Sequence, residues 1–389
     1  MTINRPDVVI PQTDPRAGYL AERTVIDTAI ARVLDGGVYI LGREVEAFEA
    51  AFADFVGVAH AVGVGNGTDA IALLLRAIDV KPGDEVIVPA LTAAYTGLAV
   101  LLAGATPVFA DVDPGTLTRD PAACEAAITP RTVAIVPVHL YGQAADMPAL
   151  QSIAQRHSIA VIEDCCQAHL ATHRGTPVGT RSVGGAFSFY PTKNLGALGD
   201  GGAVITNDPS VADRIRRLRN GGQSDRYVHA EAGVNSRLDD LQAAVLRARL
   251  PFLRRWTDHR RLLAASYRRA LAGTAGSEQG RGARPEQGRG VQPLEERDNG
   301  HVYHLFVVRS AERDALQSHL RASGVETLIH YPVPLPRQPA FAPARGDCPV
   351  ATRGAQEILS LPLHPRLTDA DVNRIASAVG TFQKGHILA

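Results

Sequence analysis

Between residues 61 and 206 the chain alternates short apolar runs with helical stretches, and this alternation restricts the fold more than any other feature. The runs lie at 61–64, 85–89, 106–110, 132–138, 159–164, 186–190 and 203–206. Most are followed by a segment of helical periodicity. Strands of this length joined through helices predict an α/β fold: a mostly parallel sheet flanked by helices. Upstream, 22–34 and 43–55 place apolar residues at helical spacing, and Gly36-Gly37 supplies a stop between them. Asp120-Pro121 opens a helix over 121–127, with a capping acid and proline at the first helical position. Asp146 caps another that reaches His157.

With 389 residues the chain has room for one large domain and a smaller partner. We expect the large domain over 20–250. A small C-terminal α/β domain follows over 251–389, with 1–19 packing on it. In that second domain 251–271 reads as a long basic helix, and 301–308 and 325–329 as strands around a helix at 311–323. Helices at 352–359 and 368–379 close it. Residues 273–300 carry an internal echo, SEQGRGARP then PEQGRGVQP, too polar to bury much surface. They read as a largely disordered loop.

Forty basic residues balance forty acidic ones, so charge gives no case for a nucleic-acid or membrane partner. The apolar window 98–110 is broken by Gly104 and Pro107 and is no membrane span. Cys124, Cys165, Cys166 and Cys348 have no metal spacing, so no metal is expected, and they read as reduced thiols. The N-terminus lacks the apolar core of a signal peptide, which points to a cytoplasmic protein.

The chemistry concentrates in 184–205, GGAFSFYPTKNLGALGDGGAVI, where Lys193 lies in a glycine-dense turn between two apolar strands. Lysine is seldom buried unpaired, and in a partly desolvated pocket its amine loses the proton and becomes a nucleophile toward carbonyls. One strand earlier, IAVIED ends in Glu163 and Asp164, followed by CCQAH. Side chains alternate across a strand, so only one of these acids faces a site at the strand's end. At 61–69 a strand, the turn Gly65-Asn66-Gly67-Thr68-Asp69 and a helix form a natural phosphate cradle, although Thr and Asp also serve there as helix caps. His139 ends the run 132–138, where open α/β sheets bind ligands. A histidine satisfied by its own hydrogen bonds is the better reading there. The basic run RIRRLRN at 214–220 reads as a solvated helix face.

The stretches EDCCQAH and FSFYPTKNLGALGDGG resemble the DegT/StrS (DegT/DnrJ/EryC/StrS) sugar aminotransferases. The resemblance runs from Tyr19 to the C-terminus except over 273–300. It implies a pyridoxal phosphate (PLP) enzyme of fold type I, aspartate-aminotransferase-like. Lys193 would then form the Schiff base with the cofactor. Asp164 would pair with the protonated pyridine nitrogen, and Gln167 would lie near the ring's phenolic oxygen. Gly67, Thr68 and Ser188 would hold the phosphate. Asn235 would reach the phosphate of a second subunit, making an obligate homodimer. His169, Arg237, His330 and Tyr331 are implied as substrate contacts. The aromatic that stacks on the cofactor in such sequences is replaced by Ala93, and Tyr95 is the available substitute.

The activity implied is transfer of an amino group from L-glutamate to a nucleotide-linked keto-6-deoxy sugar, at C3 of a dTDP sugar. A same-fold dehydratase would carry histidine in place of Lys193. A keto-inositol or aminobenzoate-type substrate is the alternative within the family. A PLP-binding regulator without turnover is the alternative outside enzymology.

Overall fold

The alternation becomes a single seven-stranded sheet. In the computed structural model, which describes residues 9–274, 290–342 and 346–387, strands β1 (His60–Val64), β2 (Glu85–Pro89), β3 (Thr106–Ala110), β4 (Thr132–Ile135) and β5 (Ala160–Asp164) come first. A small hairpin, β6 (Thr172–His173) and β7 (Thr176–Pro177), leaves the sheet before β8 (Gly184–Ser188) and β9 (Gly202–Thr206) complete it. The order across the sheet is β1-β9-β8-β5-β4-β2-β3. Strands β3 through β8 pair parallel, whereas β9 runs antiparallel to both neighbours. The reversal follows from the connection. A parallel return needs a long crossover, usually a helix, and the proline- and glycine-rich stretch 189–201 contains none.

Helices α1 (Pro15–Ala21), α2 (Arg23–Gly36) and α3 (Arg43–Val56) lead in, and Gly37 closes α2 in the left-handed region at φ 67°. Helices α4 (Gly67–Ala77), α5 (Ala94–Leu102), α6 (Pro121–Ala126), α7 (Met147–His157), α8 (Pro209–Leu218) and α9 (Asp240–Arg249) belong to the same unit. One face of the sheet buries Val62, Val86, Val88 and Ile162 against Ile71 and Leu74 of α4. On the other, Phe48 and Phe52 of α3 meet Phe187 and Phe189, with edge-to-face ring distances of 5.3–5.4 Å. Truncating a buried phenylalanine of such a cluster to alanine costs about 3–5 kcal/mol. Helix α3 has no capping side chain of its own. Asp240, far along the chain, accepts from the backbone N–H groups of Gly42 (2.8 Å) and Glu44 (3.1 Å).

A hairpin, β10 (Gln223–Asp225) and β11 (Val228–His229), stands between α8 and α9. The second core gathers around α10 (Leu253–Thr274), α11 (Arg313–Ala322) and α13 (Asp369–Ile387), whereas α12 (Pro349–Glu357) buries Ala351 and Ala355 in the core of the large sheet. The sheet of the second core is antiparallel, in the order β12 (Gln292–Pro293), β13 (Phe306–Arg309), β14 (Ile358–Leu361). Ile10 is buried in this core and bridges Val325.

Several expectations change here. The segment 325–329 is no strand: it makes only isolated bridges, Val325 to Ile10 and Leu328 to Ser360. Residues 352–359 split between the end of α12 and β14. The division at 250/251 falls inside a continuous packing unit, because Leu253 and Trp256 of α10 lie in the first core while Leu263 and Tyr267 lie in the second. Of the loop expected over 273–300, residues 275–289 lie outside the described residues. Residues 290–300 are described, and they bury Val291 and Leu294. Arg219 leaves the solvated face expected for RIRRLRN. It is buried, donates to the Gly63 carbonyl at 2.7 Å and pairs with Glu49. All four cysteines are free thiols. Among the described residues, no helix is long and apolar enough to cross a membrane.

Candidate active site

The carboxyl ends of β1, β2, β5 and β8 open on the same edge of the sheet, and each delivers one part of the site. Strand β5 delivers Asp164, which is buried with both carboxylate oxygens engaged. Oδ2 accepts from the Thr96 hydroxyl at 2.8 Å and Oδ1 from the Cys166 backbone N–H at 3.0 Å. The adjacent Glu163 faces the other way, as alternation requires. It accepts from His139 Nε2 (2.9 Å), the Gly179 N–H (2.7 Å) and the Ser182 hydroxyl (2.6 Å). His139 Nδ1 accepts from the Ala145 N–H at 3.1 Å, so its proton sits on Nε2. Both nitrogens are thus engaged, and within the buried group of His139, Glu163 and Cys165 the histidine and the carboxylate are held by hydrogen bonds of the chain itself.

Lys193 stands half-buried in the turn after β8, its backbone N–H donating to the Tyr190 carbonyl at 2.8 Å. Its Nζ makes no hydrogen bond or ion pair among the described residues. Burial lowers its pKa from the ordinary lysine value, against an opposing pull from Cys166 and Asp164. The neighbours are kept neutral. Burial, assisted by the charge on Lys193, depresses His169 to about 3 and His330 to about 4. His169 is buried with both ring nitrogens unpartnered among the described residues, its ring against Phe187 at 5.2 Å.

The cradle forms at the start of α4. The helix cap is Asn66, whose side chain accepts from the Asp69 N–H at 2.9 Å, rather than Thr68 or Asp69. Thr68 is left half-buried on the first turn. At Gly67 an added Cβ would lie 2.6 Å from Cys166 Sγ and 2.9 Å from Ser188 Cβ. Only glycine lets the helix end approach β8 so closely. Backbone N–H groups at a helix N-terminus, beside Ser188, form an anion-binding surface.

Gln167 links two further elements: Oε1 accepts from the Tyr141 N–H at 2.7 Å, and Nε2 donates to the Tyr331 hydroxyl at 3.0 Å. Burial raises the Tyr331 phenol above its ordinary value, as does the nearby Asp164 charge. The Tyr141 hydroxyl donates to the His330 carbonyl, and His330 Nδ1 meets the Ser360 hydroxyl at 2.9 Å. His330 and Tyr331 therefore join Lys193, Asp164 and Gln167 in one group.

Other candidates stand apart. Tyr95 is 65% exposed on the first turn of α5. Asn235 is exposed on the protomer surface, without a side-chain partner among the described residues. Arg237 donates to Asn220 Oδ1 at 2.9 Å. Ser236, a plausible cap for the helix after it, instead accepts from the Gly65 N–H (2.9 Å) and donates to Asp69 (2.6 Å). That tie fixes the Asn235 segment beside the cradle.

Sequence reading missed Thr96 and Asn194. Thr92 and Thr96, one helical turn apart, were the available signal for the first. Asn194 holds the Lys193 turn, donating to the Val302 carbonyl at 3.2 Å and meeting His304 Nδ1 at 3.2 Å. Nothing local in the sequence indicates it. Taken together, an unpaired lysine amine, a buried carboxylate, an orphaned histidine and a helix-end cradle fit a phosphorylated pyridine aldehyde.

Comparison with known proteins gives the same answer. A model of the DegT/DnrJ/EryC1/StrS aminotransferase family matches residues 21–380. The chain is 48% identical over 373 residues to a dTDP-3-amino-3,4,6-trideoxy-alpha-D-glucose transaminase of Streptomyces venezuelae, covering 95% of each. It is 50% identical over 364 residues to the erythromycin biosynthesis sensory transduction protein EryC1 of Saccharopolyspora erythraea, covering 92% of this chain and 95% of that one. Among solved structures, S. venezuelae DesV in complex with a ketimine intermediate superposes with a TM-score of 0.91 at 47% identity. That match covers 97% of this chain and 99% of DesV.

Proposed function

The chain belongs to the DegT/DnrJ/EryC1/StrS aminotransferase family, and from that premise we propose that it transfers an amino group from L-glutamate to C3 of a dTDP-linked keto-6-deoxy sugar. It is a sugar aminotransferase, and its cofactor is pyridoxal phosphate. The observation that carries the substrate is the near full-length similarity to a transaminase named for a dTDP-3-amino sugar. Bound at this site, PLP supplies an electrophilic carbon and an electron sink.

The chain's residues supply the rest. Lys193 Nζ, its proton affinity lowered by burial, holds the cofactor and, once released, moves the proton from the donor's Cα. Asp164, fixed by Thr96 and the Cys166 N–H, keeps a proton on the pyridine nitrogen. Gly67, Thr68 and Ser188 bind the phosphate. Gln167 orients the phenolic edge of the ring, and Tyr95 is the aromatic available to the ring face. His169, Arg237, His330 and Tyr331 border the donor and the sugar.

The working form we assign is a homodimer in which Asn235 reaches the second subunit's phosphate. The exposed run Val38, Tyr39 and Ile40, 44–55% accessible, supports such a surface. The free thiols support a reducing, cytoplasmic setting.

The test is the visible spectrum of the PLP-loaded protein, before and after L-glutamate, beside Lys193→Ala. The wild type should show a band that glutamate bleaches, and the variant should show neither band nor bleaching. A dTDP-3-keto sugar should then restore the band faster than its UDP or keto-inositol counterparts. A wild type that keeps PLP yet reacts with no amino donor would instead be a regulator, the reading that the name of EryC1 invites.

A further inference from the structure

Beside the turn that carries Lys193 lies a cavity of about 50 Å³. The 191–194 segment closes one side and the N-terminal segment, with Asp14 and Glu22, another. Arg249, Trp256 and Arg260 line it from the end of α9 and from α10, and His364 and Arg366 complete it. Its walls therefore hold three guanidinium groups, the Lys193 amine and two carboxylates, so basic groups outnumber acidic ones.

One carboxylate caps a helix and the other already pairs within the lining. Asp14 accepts from the Ala17 N–H at 2.8 Å, capping α1. Glu22 Oε1 accepts from Arg366, whereas Glu22 Oε2 approaches Arg249 Nε no closer than 3.9 Å. Arg260 meets no carboxylate among the described residues. Its Nη1 donates to the carbonyls of Tyr303 (3.1 Å), His304 (3.4 Å) and Leu363 (2.7 Å). A buried guanidinium facing only neutral carbonyls is costly unless a counter-charge lies near.

The unmet hydrogen-bonding capacity has the same sign. Trp256 Nε1 and the Nε groups of Arg249, Arg260 and Arg366 are buried without acceptors among the described residues. Each is a donor that cannot accept, so only an acceptor can satisfy it. The unmet capacity on the accepting side is Glu22 Oε2 and the two-way ring of His364. The volume sets the scale of the occupant: a site of about 50 Å³ takes a small ion or a few waters, at roughly 10–15 Å³ of such space each.

We propose that this cavity binds one small monovalent anion of halide size, held by Trp256, Arg249 and Arg260. The bound ion ties the N-terminal segment, α10 and the Lys193 turn together through Trp256, Arg249 and Arg260, three residues to which the amino-transfer reading gives no role.

The experiment uses the PLP-loaded full chain crystallised in bromide. An anomalous peak within hydrogen-bond reach of Trp256 Nε1 and Arg260 is expected. In solution, chloride or bromide replacing gluconate at fixed ionic strength should raise Tm along a saturating curve. Trp256→Phe keeps the ring, removes one donor and should shift that curve to higher halide concentration. Arg260→Met should abolish the response. If it fails to fold, Trp256→Phe still decides. Three results overturn the proposal: no peak, a peak without a solution response, or a response that follows ionic strength alone and is identical in Trp256→Phe. None of them bears on whether glutamate bleaches the Lys193-dependent band.

Discussion

Replacing Thr96 with valine tests the least expected contact in the site. The hydroxyl of Thr96 donates to Asp164 Oδ2 at 2.8 Å, and both residues are buried. Valine keeps the branched shape and removes the donor, leaving a buried carboxylate oxygen without its partner. Hydrogen bonds to charged groups contribute about 1.5–3 kcal/mol, and an abandoned buried acceptor loses at least the lower figure. At about 1.4 kcal/mol per factor of ten, the folding equilibrium of the apoprotein should fall roughly 10- to 150-fold. Thr96→Ser, which keeps the hydroxyl, should lose much less. Urea unfolding of the apoprotein measures this directly. The second readout is the rate at which L-glutamate bleaches the PLP-loaded protein. Asp164 would then be held by the Cys166 N–H alone, so bleaching should slow in Thr96→Val and not in Thr96→Ser. Equal urea midpoints and equal bleaching rates for wild type and Thr96→Val would refute the claim that this hydroxyl fixes the carboxylate.

Gly67→Ala should weaken PLP retention at least tenfold in a gel-filtration assay, because its Cβ would stand 2.6 Å from Cys166 Sγ; Cys166→Ala in the same chain should recover part of the loss. Asp240→Ala removes acceptors for two α3 N–H groups and should cost about 1–2 kcal/mol in urea unfolding, the usual size of a lost helix cap. His169 and His301, both depressed to about 3 mainly by burial, stay neutral in the folded chain, while their unfolded counterparts protonate near pH 6.5. Their stabilisation is therefore present above pH 6.5 and is lost as pH falls toward 3, and His169→Phe should reduce the slope of stability against pH at pH 5 by about one proton.

The parts of this protein visible in its sequence are those fixed by local rules. Apolar runs and caps gave every strand of the large sheet to within a few residues, since period and turn chemistry act at short range. The opposed roles of Glu163 and Asp164 follow from strand alternation alone, and the structure separates them as expected. What stayed hidden depends on tertiary partners. Ser236 looks like a helix cap until Gly65 and Asp69 arrive beside it. Arg219 looks like one more surface arginine until the Gly63 carbonyl and Glu49 enclose it. Ile358 and Leu359, the first half of β14, read as the end of a helix, and only pairing with β13 decides them. Ala93 shows the remaining limit. A missing side chain marks a gap, and which side chain closes it is decided by tertiary placement that no local pattern carries.

The remote cap on α3 also bears on how the chain is made. Helix α3 ends its N-terminus on a residue 196 positions away, and β1 finds its partner only in β9. A ribosome adding about 5–20 residues per second would need roughly 10–40 s to bridge that separation. During that interval α3 is uncapped and the first strand is an open edge beside its phenylalanines. The nascent N-terminal third should therefore depend on chaperone cover until α9 leaves the exit tunnel, and an arrested chain ending before residue 240 should be far more protease-sensitive over residues 43–64 than one ending beyond it.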